Sequence, residues 1–187
     1  MRSLITWAGG KSRIADQVLK AFGEPMLCAD WSSALHRYYE PFAGSMAVAL
    51  HRLGSREIYT AVVSDINKDL INFYEYVKEL PIEFAEAVHA CSNNHVFSLG
   101  NYDAIRSSYN ECDDPKMRAL LFYWLNRSCF NGLYRENKKG EFNTPKGSRI
   151  SLHSEDEIFA FANLISLVQF KAQGFEEAIS QAKAGDQ

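Results

Sequence analysis

The fold is decided by the stretch YYEPFAGS, residues 38–45, in which a short apolar strand runs into a glycine turn. The pattern predicts a strand over 38–42, a helix over 46–50, and a second strand over 58–63 that leads to Asp65. Gly44 has no Cβ, so the backbone there can approach a ligand closely. Asp65 follows 21 positions later at a strand tip, where a carboxylate accepts both hydroxyls of a ribose. The spacing therefore favours a pocket for an adenosine-containing cofactor.

Size and charge restrict the classes of protein to which the chain can belong. Its 187 residues, 47% of them apolar, fit one α/β domain or a domain with an insertion. The net charge of −3 gives no nucleic-acid signal for the whole chain. Residues 127–149, however, carry six Lys or Arg against two Glu, a local charge of +4, so the remainder carries −7. Such a basic segment is typical of nucleic-acid contact, and the alternative is an ordinary solvated loop.

The cysteines and the N-terminus indicate the setting of the protein. Cys28, Cys91, Cys112 and Cys129 lack the close spacing of a metal site, so we expect no metal. The first residues, MRSLITW, lack the apolar core of a signal peptide, and no segment reaches membrane-spanning length. We therefore expect a reduced, cytoplasmic protein without a membrane partner.

The rest of the chain predicts a strand-helix-strand body interrupted by helices. Residues 8–12, AGGKS, open the first helix but do not form a nucleoside-triphosphate loop, because the first glycine of that motif would fall at Ile5. Ser154 and Glu157 form a capping box at the start of a late helix. The remaining predicted elements are helices over 12–22, 70–77, 82–93, 102–109, 115–125, 154–163 and 175–183, a third strand over 166–170, and a loop or hairpin over 131–147. We expect a cofactor-binding body of residues 1–67 and 153–187, with a helical recognition insert over 68–152.

Four blocks of this sequence, in this order, resemble the Dam-type (D12 class) DNA adenine-N6 methyltransferases. They are WAGGK at 7–11, EPFAGS at 40–45, DINKDLI at 65–71, and the recognition region at 125–135 with GEFNTPKG at 140–147. The resemblance implies an α/β fold with a Rossmann-like sheet and a helical DNA-recognition insert. It also implies S-adenosylmethionine as cofactor and double-stranded DNA with a GATC-like site as substrate.

The resemblance assigns cofactor contacts to matching positions. The methionine end of S-adenosylmethionine would lie against Trp7, Ala8, Gly9 and Lys11. The chain would pass under this cofactor at Phe42, Ala43 and Gly44. Asp65 would hold the ribose, and Phe175 would cover the adenine ring. The family usually has an acidic residue just before that phenylalanine, whereas this chain has Gly174. Two alternatives stay open, since Trp7 fits simple packing and Lys11 fits a surface position.

The resemblance also assigns DNA contacts. Arg135 would read a guanine edge, because a guanidinium can bond two of its major-groove acceptors at once. Phe130 and Asn131 would wedge into the duplex, and Leu133 and Pro145 would touch thymine methyls. The cations that would neutralise phosphates are Arg127, Lys138, Lys139, Lys146 and Arg149. The alternatives are a core position for Phe130 and a phosphate contact for Arg135.

The catalytic tetrapeptide of that family, Asp-Pro-Pro-Tyr, does not occur among the 187 residues. Its carboxylate would accept the hydrogens of the adenine amino group while its aromatic ring stacks on the flipped base. The one Asp-Pro pair, Asp114-Pro115, precedes Lys116 and predicts a helix start. We expect a truncated or divided chain that is inactive alone and whose first strand becomes a sheet edge, open to a second chain.

Two other classes compete with this interpretation. A non-catalytic DNA- or cofactor-binding module, or half of a split enzyme, would keep the basic segment without the chemistry. A nicotinamide-dependent Rossmann enzyme requires companion glycines that Gly44 lacks, so this class has little support.

Overall fold

A three-stranded parallel sheet forms the centre of the computed structural model, which describes residues 2–10, 17, 37–183 and 186. The strands are β1 (Tyr38–Glu40), β2 (Ala61–Asp65) and β3 (Val168–Ala172), in the order β1-β2-β3. Ala61 lies opposite Tyr38 on one side and Val168 on the other. The α/β class predicted from the sequence is confirmed.

The strands begin and end close to the predicted positions. β1 stops before Pro41, which has no backbone N–H to continue a ladder. β2 is buried over Ala61–Ser64, as expected for a strand covered on both faces. β3 starts two residues later than predicted, because Val168 N still donates to Ile165 O in a turn.

The helices confirm the predicted pattern within the described residues. They are α1 (Ala47–Gly54), α2 (Lys68–Glu79), α3 (Pro81–Asn93), α4 (Tyr102–Glu111), α5 (Pro115–Ser128), α6 (Glu155–Leu164) and α7 (Phe175–Ser180), with short 3₁₀ turns at Leu99–Asn101 and Phe130–Gly132. The helix predicted over 12–22 lies outside the described residues. The segment 131–147 is a hairpin-like loop with an antiparallel bridge between Glu136 and Phe142.

Capping side chains fix where several helices begin. Asn67 Oδ1 accepts from Leu70 N at 2.9 Å, and Asp114 Oδ1 accepts from Met117 N at 2.7 Å. The predicted capping box of Ser154 and Glu157 is present at α6. The sequence predicts the capping box of α6 and the start of α5 at Asp114-Pro115, whereas the cap at Asn67 is seen in the structure alone.

Helix α2 connects the sheet with the helices that follow it. Phe73 stacks on Tyr123 of α5, with ring centres 5.8 Å apart, and Tyr74 stacks on Phe170 of β3 at 5.3 Å. α2 therefore packs on both parts of the molecule. The division into a body of 1–67 and 153–187 and an insert of 68–152 stays a prediction.

The described residues contain neither a membrane-spanning helix nor a cluster of metal-binding side chains. No helix there combines the length and the apolar character that crossing a membrane requires. No three His, Cys, Asp or Glu side chains in that part of the chain form a group suited to a metal ion.

Candidate functional site

The candidate site lies where the three parallel strands end. The chain leaves β1 towards Phe42 and Gly44, leaves β2 at Asp65, and leaves β3 towards Phe175. Ligands of open α/β sheets bind at this carboxyl edge, because loops and helix starts converge there. The topology therefore brings the predicted ribose, glycine and adenine positions to one edge.

Asp65 is held in place by two backbone donors. Gly44 N donates to Asp65 Oδ2 at 3.1 Å, and Asn67 N donates to Oδ1 at 3.0 Å. The side chain is half-buried. Each carboxylate oxygen has a second lone pair, so a pair of ligand hydroxyls still finds two acceptors. This arrangement suits the two adjacent hydroxyls of a ribose.

Gly44 is required by its conformation and by its neighbour. Its φ is +46°, in the left-handed region, and Tyr74 Oη donates to its carbonyl at 2.7 Å. A Cβ at this position would lie 2.8 Å from Cδ1 of Trp7. The sequence interpretation reserved this space for a ligand, but in the structure the Trp7 indole uses it. A ligand contact of Gly44 stays a prediction.

Trp7 joins the strand edge to the basic segment. Its ring stacks on Tyr134, with centres 5.6 Å apart and planes 20° apart. Beyond it, Ala8 and Gly9 are exposed in a turn that closes with Gly10 N donating to Trp7 O at 3.0 Å. The packing role expected as the alternative for Trp7 is therefore present. Lys11 lies outside the described residues.

An exposed apolar rim borders Asp65. Phe42 is 63% exposed and stacks on the half-exposed Phe175, with ring centres 5.3 Å apart. Ile66, directly after Asp65, is 81% exposed. Ala43 is buried behind the rim, and its N–H donates to Ser64 O at 2.9 Å. Apolar side chains next to a carboxylate form a surface for a flat ring attached to a sugar.

Asn126 ties the N-terminal segment to helix α5. Its Oδ1 accepts from Thr6 N at 2.9 Å, and its Nδ2 donates to Thr6 O at 2.7 Å. The same amide nitrogen donates to Gly132 O at 3.3 Å. Asn126 is only 6% exposed, so these bonds are shielded from water. One side chain thus positions both the Trp7 segment and the turn that begins the hairpin.

Apart from Arg127, the predicted DNA-contact residues are exposed on the basic segment, residues 127–149. Phe130 is 52% exposed, so it is not the core residue considered as its alternative. Asn131 follows with a φ of +56°, which turns the chain sharply. The other exposed members are Leu133, Arg135, Lys138, Lys139, Pro145, Lys146 and Arg149.

Arg127 differs from the other predicted cations. It is half-buried, and its Nε donates to Ser151 O at 2.6 Å. Burial, together with the nearby charge of Arg149, lowers the pKa of its guanidinium. The side chain therefore contributes to the fold, and a phosphate contact by Arg127 stays a prediction.

A half-buried ion pair between Asp69 and Arg118 joins α2 to α5. Asp69 accepts from Arg118 Nη2 at 2.9 Å, from Arg118 Nε, and from Tyr109 Oη. Burial by itself would raise the pKa of the Asp69 carboxyl, but the bonds from Arg118 and Tyr109 hold it below its usual value. Tyr134 Oη lies 3.4 Å from the same carboxylate. Tyr134, which stacks on Trp7, is therefore also held by this contact with Asp69.

Comparison with known proteins decides the family. The model of the D12 class N6 adenine-specific DNA methyltransferases matches residues 7–187. The chain belongs to this family. The family expectation from the four sequence blocks is thereby confirmed.

The relatives of this D12-class chain are longer than it is. The DNA adenine methylase of Serratia marcescens is 30% identical over 187 residues, which cover 98% of this chain and 63% of that protein. The type II methyltransferase M.MjaIII of Methanocaldococcus jannaschii is 30% identical, over 94% of this chain and 63% of its own length. The DNA adenine methylase of Haemophilus influenzae is 34% identical, over 97% and 59%. The chain thus spans about three-fifths of these relatives.

Sequence reasoning missed three residues of this D12-class site. Ile66 was inside a recognised block, and its place directly after the acidic strand tip was the available signal. Asn126 lies in a recognised block too, but nothing local indicates that it binds Thr6, 120 positions away. Asn143, which contacts Arg135, occurs in the motif at 140–147 without a role of its own.

Proposed function

We propose that this chain forms the cofactor- and DNA-binding part of a DNA adenine-N6 methyltransferase. The reaction moves a methyl group from S-adenosylmethionine to adenine in duplex DNA at a GATC-like site. The observation that carries the proposal is the Asp65 carboxylate, held by Gly44 N beside an exposed apolar rim and joined through Trp7 to the basic hairpin. Family membership supports the same assignment.

The residues at the strand edge fit S-adenosylmethionine. Asp65 has lone pairs free for both ribose hydroxyls, and Ile66, Phe42 and Phe175 offer apolar contact to adenine. By resemblance, Trp7, Ala8, Gly9 and Lys11 face the methionine end. When bound, the cofactor supplies an electrophilic methyl group.

The hairpin fits double-stranded DNA. Lys138, Lys139 and Lys146 are exposed cations for phosphates, which fix position without reading sequence. Arg135 is exposed and by resemblance would read a guanine edge. Phe130, Asn131, Leu133 and Pro145 are exposed too, and by resemblance would wedge into the duplex or contact thymine methyls.

We further propose that the 187 residues do not transfer methyl groups by themselves, and that a second chain or further segment adds a strand beside β1. Among the described residues β1 is an edge strand of the sheet, with β2 as its neighbour. Asp186 Oδ1 accepts from Arg37 N at 2.8 Å, and Tyr39 Oη donates to Gln181 O at 3.3 Å. The residues after α7 therefore lie against β1, where such a strand would bring the Asp-Pro-Pro-Tyr carboxylate next to the Gly44 turn.

A second candidate is a DNA- or cofactor-binding module without catalysis. The absence of Asp-Pro-Pro-Tyr from the sequence favours it. Transfer of labelled methyl groups from S-adenosylmethionine to GATC duplex by the purified chain would refute this candidate and the proposed inactivity together.

The cofactor assignment is tested on the ligand side, so that the fold stays intact. Calorimetry should show that the chain binds S-adenosylhomocysteine. The 2′-deoxy and 3′-deoxy analogues should each bind about tenfold or more weakly, since each loses a hydrogen bond to a charged group. Equal affinities for all three compounds, or no uptake by a folded sample, would contradict the role of Asp65.

The DNA assignment is tested by mobility shift across a salt series. GATC and scrambled duplexes should both bind at low salt. Their affinity should fall steeply as salt rises, because binding releases cations that are condensed on the DNA. A preference for GATC should persist at higher salt. Failure to bind any duplex at low salt would remove the DNA-reading function.

A further inference from the structure

Arg135 is folded back onto its own hairpin by Asn143. Its Nε donates to Asn143 Oδ1 at 2.7 Å, and its Nη2 donates to Asn143 O at 2.9 Å. Across the same pair, Asn143 N donates to Arg135 O at 2.9 Å. Two bonds therefore define where this exposed guanidinium lies, and the backbone bond fixes the two residues opposite each other.

These bonds use one particular edge of the guanidinium. The planar group has a side edge of Nε and Nη2 and an end edge of Nη1 and Nη2, and each edge can make a pair of parallel hydrogen bonds. Asn143 takes the side edge. Arg135 Nη1 bonds to nothing within the part of the chain that the structure describes. The end edge, with Nη1 and the second hydrogen of Nη2, is left for a ligand.

We propose that Asn143 is a positioning residue that presents this end edge of Arg135 to guanine. The inference rests on the proposed DNA-reading function and deepens it. Guanine offers O6 and N7 as neighbouring acceptors in the major groove, which match a pair of parallel N–H donors. Because Asn143 orders the side chain beforehand, less conformational freedom is lost on binding. Asn143 therefore sets sequence selectivity without touching DNA itself.

The Asn143 carboxamide is not needed to hold the hairpin. Phe142 N donates to Asn110 Oδ1 at 2.8 Å, and Asn110 Nδ2 donates to Phe142 O at 3.1 Å. The Glu136–Phe142 bridge and the backbone bond from Asn143 N add to this anchoring. In the described residues, the hydrogen bond of the Asn143 side chain goes to Arg135 alone. Its loss should therefore affect Arg135 and spare the fold.

The test compares Asn143→Leu, which removes the acceptor, with Asn143→Asp, which keeps it, and with Arg135→Ala. Each protein is titrated with GATC duplex carrying guanine or 7-deazaguanine, in which a C–H replaces N7. The wild type should prefer guanine by about fivefold to tenfold, because one of the two paired bonds is lost. Arg135→Ala should abolish this preference. Asn143→Leu should reduce it, since only the bond from Arg135 Nη2 to the Asn143 carbonyl then holds the guanidinium, and Asn143→Asp should retain it. The unfolding midpoints of the Asn143 variants should match the wild type.

A second readout needs no DNA. The Hε proton of Arg135 should exchange slowly with water in the free wild type and in Asn143→Asp, and quickly in Asn143→Leu. An Asn143→Leu protein that keeps both the slow Hε and the guanine preference overturns this inference and leaves the proposed function standing. A wild type that binds no duplex overturns the DNA-reading function and this inference with it. A wild type that binds DNA but ignores the 7-deaza change overturns the guanine contact and this inference, and leaves DNA binding standing.

Discussion

The contact between Gly44 and Trp7 predicts a specific stability loss on replacing the glycine. In Gly44→Ala the residue must keep a φ of +46°, which costs a non-glycine residue about 1–2 kcal/mol. The new Cβ would also lie 2.8 Å from Trp7 Cδ1, so the indole has to move. Moving it forfeits the stack on Tyr134, worth about 0.5–1.5 kcal/mol. We expect the free energy of unfolding to fall by about 2–3 kcal/mol in total.

Relaxation of the backbone cannot remove this cost. Gly44 N is bonded to Asp65, and its carbonyl accepts from the buried Tyr74 hydroxyl. A shift that relieved the collision would break one of these bonds. The collision is therefore absorbed by Trp7, and the loss should extend to the hairpin through Tyr134.

Urea unfolding with a matched control measures the two contributions separately. Gly140 has a φ of +79° with open space around it, so Gly140→Ala carries the conformational cost alone. Gly44→Ala should also cost less in a Trp7→Ala background, by about 1 kcal/mol, since the collision is then absent. Equal losses for Gly44→Ala in both backgrounds, or a Gly44→Ala loss no larger than that of Gly140→Ala, would refute the reasoning.

Three further predictions follow from buried polar groups, each checked by urea unfolding. Asn126→Ala should cost about 2–4 kcal/mol, because Thr6 N, Thr6 O and the buried Gly132 O lose their partner, and an unchanged midpoint would contradict this. Asp69 has a lowered pKa, so its contribution to the free energy of unfolding is full above about pH 4 and is lost as the pH falls. The difference in free energy of unfolding between the wild type and Asp69→Asn should therefore narrow on acidification. Burial lowers the pKa of His153, whose Nδ1 lies 2.9 Å from Tyr123 Oη. The free energy of unfolding of the wild type should therefore decline as the pH drops below about 6.5, and His153→Asn should reduce that decline.

The strand edge could be predicted from the sequence because its signals are local. An apolar run before a glycine and an acidic residue after the next apolar run specify two parallel strands that end together. Asn67, Asp114 and Ser154 each carry a capping oxygen at the first residue before a helix. These features are decided within a few residues, so no knowledge of packing was needed.

The interior of the site could not be predicted, because it depends on contacts between distant residues. The missing Cβ of Gly44 makes room for an indole 37 positions earlier, which the sequence interpretation assigned to a ligand. Asn126 and Asn143 are polar residues in motifs where several polar residues compete for roles. Only the packed structure shows that Asn126 bonds to the backbone of Thr6 and that Asn143 bonds to the guanidinium of Arg135.

The contacts of the N-terminal segment connect the proposed cofactor site with the hairpin proposed to contact DNA. Trp7 touches the Gly44 turn on the cofactor side and Tyr134 on the hairpin side, and Thr6 is held by the same Asn126 that holds Gly132. A ligand that displaces the indole must therefore disturb the base of the hairpin. By linkage, a cofactor that alters DNA affinity through this contact has its own affinity altered by DNA in the same ratio. For the proposed functions, the stack of Trp7 on Tyr134 is the contact through which cofactor binding would affect DNA binding.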